Sequence, residues 1–181
     1  ATGRDPDRPR WGVVEVAVVS GRGLDVASLV MARLGDSYRL ARAILLDDGE
    51  AEDAVQEASL AAWRRRDSLR DEGRFDAWFE RILVNQCRDQ LRRRRRAVKL
   101  SAPPIGFEPS ASPSDTGADA DLDHALDALD ADHRIVVVMR YWQDRTVDDI
   151  ADRVGIPAGT VKSRLHHALR TLRTTLEAGH G

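Results

Sequence analysis

Apolar residues in this chain recur every three to four positions over two long stretches, and nowhere do they alternate with polar ones long enough to build a sheet. A tract at residues 98–118, carrying Pro103, Pro104, Pro109 and Pro113 among Ser, Gly and Ala, separates the two stretches. Such a composition buries little and reads as a linker. The pattern predicts an all-α protein: two small helical domains, over residues 25–97 and 119–178, joined by a flexible linker. Residues 1–24, rich in Pro, Gly and Arg around the run Trp11–Val19, read as a poorly ordered extension, with one weak strand as the alternative. With 181 residues, 42% of them apolar, the chain can fill two small cores.

The first block divides into three helices. Leu29, Val30, Leu34, Tyr38, Ala41, Ile44 and Leu45 mark one, which Asp47-Asp48-Gly49 ends. Val55, Ala58, Ala62 and Trp63 are the apolar stripe of a second, from about Glu50 to Arg66, whose other face carries Glu52, Asp53, Gln56 and Glu57. After the polar stretch Asp67–Gly73, a third begins with Phe75, Trp78, Phe79, Ile82, Leu83 and Gln86 and ends in Leu91 and Arg92–Arg96. In the second block, Leu122, Ala125, Leu126 and Leu129 mark one helix. Ile135, Val136, Val138, Met139 and Trp142 mark the next.

Charge is segregated along the chain, so the net value of −2 hides its character. Residues 64–96 hold twelve Arg against six acids, residues 105–132 hold eight acids and no Lys or Arg, and residues 160–173 hold four basic side chains and no acid. Two basic segments flanking an acidic one suggest two contact surfaces for an anionic polymer. No run approaches the ~20 apolar residues of a membrane helix. Trp11–Val19 is too short, carries Glu15 and lacks a clear cleavage site for a secretory signal, so the chain reads as soluble, cytoplasmic and without membrane insertion. The single cysteine, Cys87, is read as a packing thiol, and no Cys/His cluster suggests a metal. The adjacent His166-His167 pair lacks the spacing that puts two ligands on one helix face. No nucleophile–base arrangement or phosphate-cradling loop is present, so neither a catalytic residue nor a cofactor is expected.

The most specific local pattern lies near the C-terminus. Thr146 is an N-cap with Asp149 three residues on, opening a short helix that carries Val147, Ile150, Ala151 and Val154. Gly155-Ile156-Pro157 then forms a turn, and Val161, Leu165, Ala168, Leu169, Leu172 and Leu176 keep helical spacing beyond it. This is a helix-turn-helix signature. If that stripe faces inward, Thr160, Lys162, Ser163, Arg164, His166, His167 and Arg170 are left outside, where a recognition helix meets base edges and phosphates.

The segment from Leu126 to Leu176, with Thr146-Val-Asp-Asp-Ile-Ala-Asp-Arg-Val-Gly-Ile-Pro-Ala-Gly-Thr-Val-Lys-Ser-Arg-Leu165 at its centre, resembles region 4 of bacterial sigma-70-type sigma factors. Ala51-Glu-Asp-Ala-Val-Gln-Glu57 resembles their region 2.2. Phe75-Asp-Ala-Trp-Phe-Glu-Arg-Ile-Leu-Val-Asn85, with Asp89 and Arg92-Arg93, resembles regions 2.3 and 2.4. Two such regions in this order, without regions 1.1 or 3, resemble the extracytoplasmic-function (ECF) class.

The resemblance implies a transcription initiation factor that binds core RNA polymerase and catalyses nothing itself. Its partners would be the β′ clamp helices and β flap of the polymerase, promoter DNA, and an anti-sigma factor. Polymerase docking would fall on Asp53, Gln56 and Glu57. Reading and melting of the −10 element would fall on Arg74, in the Arg66–Arg74 connection, and on Asn85, Arg88, Arg92 and Arg93; spacing puts Asn85, Arg88 and Arg92 on one helix face, and Arg93–Arg96 would continue it as an electrostatic patch. Duplex −35 contacts would fall on Thr160, Lys162, Ser163, Arg164 and His167, the last where the family often has Arg. Ser59 stands where the family usually has a large apolar residue. The acidic segment reads as a solubilising spacer or, by resemblance, as a strand of negative charge threading the polymerase. The competing expectation is a stand-alone helix-turn-helix regulator that never associates with polymerase.

Overall fold

The computed structural model describes residues 25–100 and 117–179. The extension at residues 1–24, its alternative strand, and linker residues 101–116 therefore lie outside the described residues. Seven α-helices make up the rest: α1 Val26–Leu45, α2 Asp48–Arg64, α3 Phe75–Leu100, α4 Gly117–Ala128, α5 Ala131–Val137, α6 Val147–Val154 and α7 Ala158–Gly179. Among the described residues there is no strand. The helices reach further into the linker than its composition implied, since α3 runs on through Leu100 and α4 starts at Gly117.

Helices α1, α2 and α3 pack on one another as an N-terminal bundle. The boundary between the first two is fixed by one left-handed residue. Leu46 closes α1 with φ 62°, donating its N–H to the Arg42 carbonyl, and Asp47 at once caps α2 by accepting from the Glu50 N–H at 2.7 Å. The polar triplet at 47–49 thus begins α2, two residues before the expected start at Glu50. Helix α2 turns Ala51, Ala54, Val55, Ala58, Ala61 and Ala62 inward. This small-residue face lets it sit close to both α1 and α3. Arg33 on α1 makes two hydrogen bonds, of 2.7 and 2.6 Å, to the Asp76 carboxylate at the start of α3. Phe75 stacks on Phe79 with ring centroids 5.5 Å apart, and with Leu83 and Leu91 they line the buried face of α3.

Cys87 is completely buried on that face, and burial pushes its thiol up to about 12. It packs as expected. Trp63 does not: it is 45% exposed, with the Arg66 guanidinium 4.9 Å over its ring. One turn before it, the small Ser59 side chain donates its hydroxyl back to the Val55 carbonyl at 2.7 Å. A groove of about 450 Å3 remains between α1 and α2, lined by Val26, Val30, Leu34, Ser59, Leu60 and Trp63.

Helices α4 to α7 form the second bundle, in which α4, α5 and α6 each pack on α7. The helix predicted through Trp142 changes pitch: α5 ends at Val137, and Val138–Trp142 wind as a π-turn. That extra residue per turn rotates the register. Met139 stays buried, while Tyr141 and Trp142 swing out to 61% and 68% exposure. Trp142 is therefore not part of the stripe that its spacing suggested. Leu122 and Leu169, also read as stripe residues, are 40% and 43% exposed. The short α6 is held by a reciprocal cap: the Thr146 hydroxyl oxygen accepts from the Asp149 N–H at 3.1 Å, and the Asp149 carboxylate accepts from the Thr146 N–H at 3.3 Å. Gly155 ends α6 with φ 73°, a conformation that favours glycine, and Pro157 leads into α7.

Two measurements check this account. Thr146→Ala should cost about 1 kcal/mol by removing the cap, read as a lower denaturant midpoint. Ser59→Leu should fill the groove and add about 1 kcal/mol. Tm would then rise by roughly 2–4 °C in a chain of this size; an unchanged or lower Tm would show that the groove is not an unfilled part of the core.

Candidate nucleic-acid interface

The helix-turn-helix is α6, the Gly155 turn and α7. Val161, Leu165, Ala168 and Leu172 are buried along α7. Lys162, Ser163 and His167 are exposed on its opposite side, and Thr160 is half-buried at its start, its N–H donating to the Pro157 carbonyl at 2.9 Å. Arg164 departs from the expected outward display. Its guanidinium turns back to α5, where Nη2 lies 3.1 Å from Asp132 Oδ2. The His167 ring lies 6.2 Å from that of His133 and 5.9 Å from that of His166. Among the described residues no group of three or more His, Cys, Asp or Glu is placed to hold a metal ion.

On α3, Asn85, Arg88 and Arg92 share a face, on which Asn85 and Arg92 are exposed and Arg88 is largely covered. Arg88 donates through Nε to Asp132 Oδ1 at 2.7 Å and through Nη1 to Asn85 Oδ1 at 2.7 Å, and Arg92 Nη2 lies 3.4 Å from Asp132 Oδ2. Of the expected patch over Arg93–Arg96, Arg93 and Arg96 are exposed, while Arg94 and Arg95 reach the second bundle. Arg94 pairs with Asp127 at 2.6 Å and with Glu50 at 3.7 Å, Arg95 donates to the Leu129 carbonyl, and Arg93 donates to Asp89 within its own helix. Arg74 is exposed at the end of a short 3-10 turn, Glu72–Arg74, which leads directly into α3.

Asp53, Gln56 and Glu57 are all exposed on one side of α2, and Gln56 borders the apolar groove. Carboxylates beside an apolar trough suit a helix that brings basic side chains and apolar anchors together.

The two bundles were expected to act as separate units. They touch. Besides the Asp132 contacts, Arg134 of α5 is buried, donating to the Ile44 carbonyl of α1 at 3.2 Å and to Asp127 Oδ1 at 2.8 Å. Burial alone would raise the Asp127 carboxyl. The Arg134 hydrogen bond and the charges of Arg134, Arg94 and Arg95 outweigh it and leave Asp127 below the usual carboxylate range. Further along α3, Glu80 takes Arg153, and Arg145 at 3.5 Å, while burial still pushes its carboxyl up. Arg81 donates to the Asp152 carbonyl, and its guanidinium lies 3.4 Å from where a Cβ on Gly155 would stand. Contact is thus extensive, yet Gln56 and Ser163 both remain exposed.

Sequence reasoning missed Asp132, Arg134, Asp127 and Glu80. Arg134 carried a signal: with Ala131 and Ile135 on α5, and Val138 just beyond it, it completes one buried face, a cation at a core position. Asp132 carried none, being one acid in a run of eight.

Comparison with known proteins agrees with both halves of this arrangement. The family model described as Sigma-70 region 2 matches residues 29–97, and the one described as Sigma-70, region 4 matches residues 125–174. The chain is 35% identical over 171 residues to the ECF RNA polymerase sigma factor SigL of Mycobacterium tuberculosis, covering 90% of this chain and 97% of that one. It is likewise 35% identical over 162 residues to an RNA polymerase sigma-E factor of Streptomyces avermitilis, covering 87% and 88%. Among solved structures, the sigma factor RpoE in complex with the anti-sigma factor NepR from Bartonella quintana superposes with a TM-score of 0.63 at 26% identity, covering 84% of this chain and 97% of that one. CnrH in complex with the cytosolic domain of CnrY does so with a TM-score of 0.60 at 27% identity, covering 84% and 88%. On these matches, which run through both helical bundles in the same order, the chain belongs to the sigma-70 family as a sigma factor of the ECF class.

Proposed function

We propose that this protein docks on core RNA polymerase through the exposed side of α2, reads the −35 element as duplex with α7, and reads and opens the −10 element with α3 and the Arg66–Arg74 connection. Direction of core polymerase to promoters is the function its family membership carries. The finer assignment rests on one observation above the others: the two sigma regions occur in order in one chain, and each carries an exposed polar face, Asp53, Gln56 and Glu57 on one and Lys162, Ser163 and His167 on the other. A stand-alone regulator would need no counterpart of region 2.

In this reading the protein contributes binding and orientation, and the polymerase contributes the chemistry. Thr160 and Ser163 offer hydroxyls to base edges at the start of α7, and Lys162, Arg164 and His167 meet phosphates or bases. At −10, unstacking costs a few kcal/mol per step, offset by a cationic track along Arg88, Arg92 and Arg93 and by base contacts from Asn85 and Arg74. The site of action is the cytoplasm, where polymerase and DNA are; no described helix is long and apolar enough to cross a membrane. Because the RpoE and CnrH structures are complexes with NepR and with the cytosolic domain of CnrY, an anti-sigma factor is proposed as a further partner here.

Reconstitution tests the reading. Adding the protein to cognate core polymerase should give promoter-dependent transcripts, and Asp53→Lys with Glu57→Lys should abolish both the transcripts and co-purification with core. Lys162→Ala should weaken holoenzyme binding to promoter DNA similarly across sequences and lower the slope of log affinity against log salt by about 1. Transcripts undiminished by the double charge reversal would exclude α2 as the docking face.

A further inference from the structure

Three imidazoles stand together at the edge of the recognition helix. The His167 ring of α7 lies 5.9 Å from that of His166 on its own helix and 6.2 Å from that of His133 on α5. His166 and His167 are exposed, and His133 is partly exposed beside them. Helical spacing sets His166 one turn after Lys162 and His167 one turn after Ser163, so the rings continue the polar face of α7. His133 extends that face onto a second helix.

His133 is held in place from behind. Asp130, the N-cap of α5, accepts from the His133 backbone N–H at 2.9 Å, and its carboxylate stands 2.5 Å from the ring Nδ1. Burial alone would raise the Asp130 carboxyl. The bond from His133 and the His133 charge outweigh it and leave Asp130 below the usual carboxylate range. With Nδ1 engaged by a carboxylate, the ring meets a ligand through Nε2. That nitrogen accepts while the imidazole is neutral and donates once it is protonated.

Resting on the assignment of α7 to duplex DNA, we propose that His133 of α5 is a further DNA-contacting residue, forming with His167 a phosphate contact that takes up protons as the duplex binds. Two imidazolium ions at this separation repel, and Arg164 and Arg170 on the same helix add to the repulsion. A phosphate set against both rings supplies the missing negative charge and favours their protonated forms. Groups so close titrate as a unit.

The surrounding charges leave the pair available. On α5, Asp132 is taken by Arg164 and by Arg88 and Arg92 from α3, so Asp130 is the acid engaged with His133. On α4, which also packs on α7, Asp127 is paired with Arg94 and Arg134, while Asp121, Asp123 and His124 lie further toward its start. Arg140 of the π-turn pairs with Asp144, and Asp149 of α6 bonds Thr146. An arginine in place of His167 would be a permanent cation, whereas an imidazole is a conditional one. Because the bound form holds more protons than the free form, affinity falls as pH rises, by up to about tenfold per unit for one proton taken up.

The test uses the chain assembled with cognate core polymerase and a fluorescent duplex of a promoter it transcribes. Affinity is read by anisotropy at fixed salt near pH 6 and near pH 8, about the imidazole range. The ratio of wild-type to variant affinity cancels the titration of polymerase and DNA. His133→Gln with His167→Gln should lose about tenfold near pH 6 and about twofold near pH 8. His133→Gln alone should lose about threefold near pH 6. His167→Arg should flatten the pH slope and bind more tightly than wild type near pH 8, and His124→Gln, at an exposed site on α4, should show wild-type slope. A ratio equal at both pH values in the double variant, with each variant folded by circular dichroism, would overturn the proposal; so would wild-type affinity in His133→Gln at both. Lys162→Ala separates the two ideas. If it binds as tightly as wild type, the assignment of α7 fails; if it weakens binding while the histidine variants show no pH dependence, only the imidazole contact fails.

Discussion

A carboxylate has two oxygens, and Asp132 shares them among Arg88, Arg92 and Arg164. The arrangement of the two bundles follows from that sharing. It draws the arginine face of α3 against α5, places α6 over Arg81, and leaves α2 and the outer side of α7 as the exposed polar surfaces. Ion pairs and hydrogen bonds cross the interface, and the buried apolar residues of both bundles belong to one hydrophobic cluster. Ion pairs of this kind set orientation and selectivity more than they add stability.

Charge segregation along the chain acquires a second meaning in the folded molecule. The arginine-rich face of α3 suits nucleic acid, and the acids at the end of the acidic segment suit that same face. Asp127 pairs with Arg94, and Asp132 with Arg88 and Arg92, of the basic helix.

Much of the fold was legible because helical periodicity and capping are local. Thr146 with Asp149, Gly155 and Pro157 announced the helix-turn-helix, and the Phe75–Leu91 stripe announced α3. Failures came where local rules meet something they do not encode. The π-turn at Val138–Trp142 shifts a register that simple spacing carries straight on. Trp63, spaced as a stripe residue, stands half-exposed one turn after the small Ser59. At the candidate site, the periodicity that grouped Asn85, Arg88 and Arg92 on one face was right about the face and silent about what covers Arg88, because pairing across 44 residues leaves no periodic trace. Arg134 is the instructive exception: an arginine within an apolar face can be read from sequence as a buried cation in need of a partner, though not which carbonyl supplies it.

The central claim is that the two bundles of the free chain pack on each other through Asp132, Arg134 and Glu80. Pulsed electron-spin distance measurement tests it most directly, with labels on cysteines introduced at exposed positions Asp67 and Arg173, since buried Cys87 is poorly accessible to reagent. A single short, narrow distance is expected in the free protein. A broad distribution extending to long distances would contradict it.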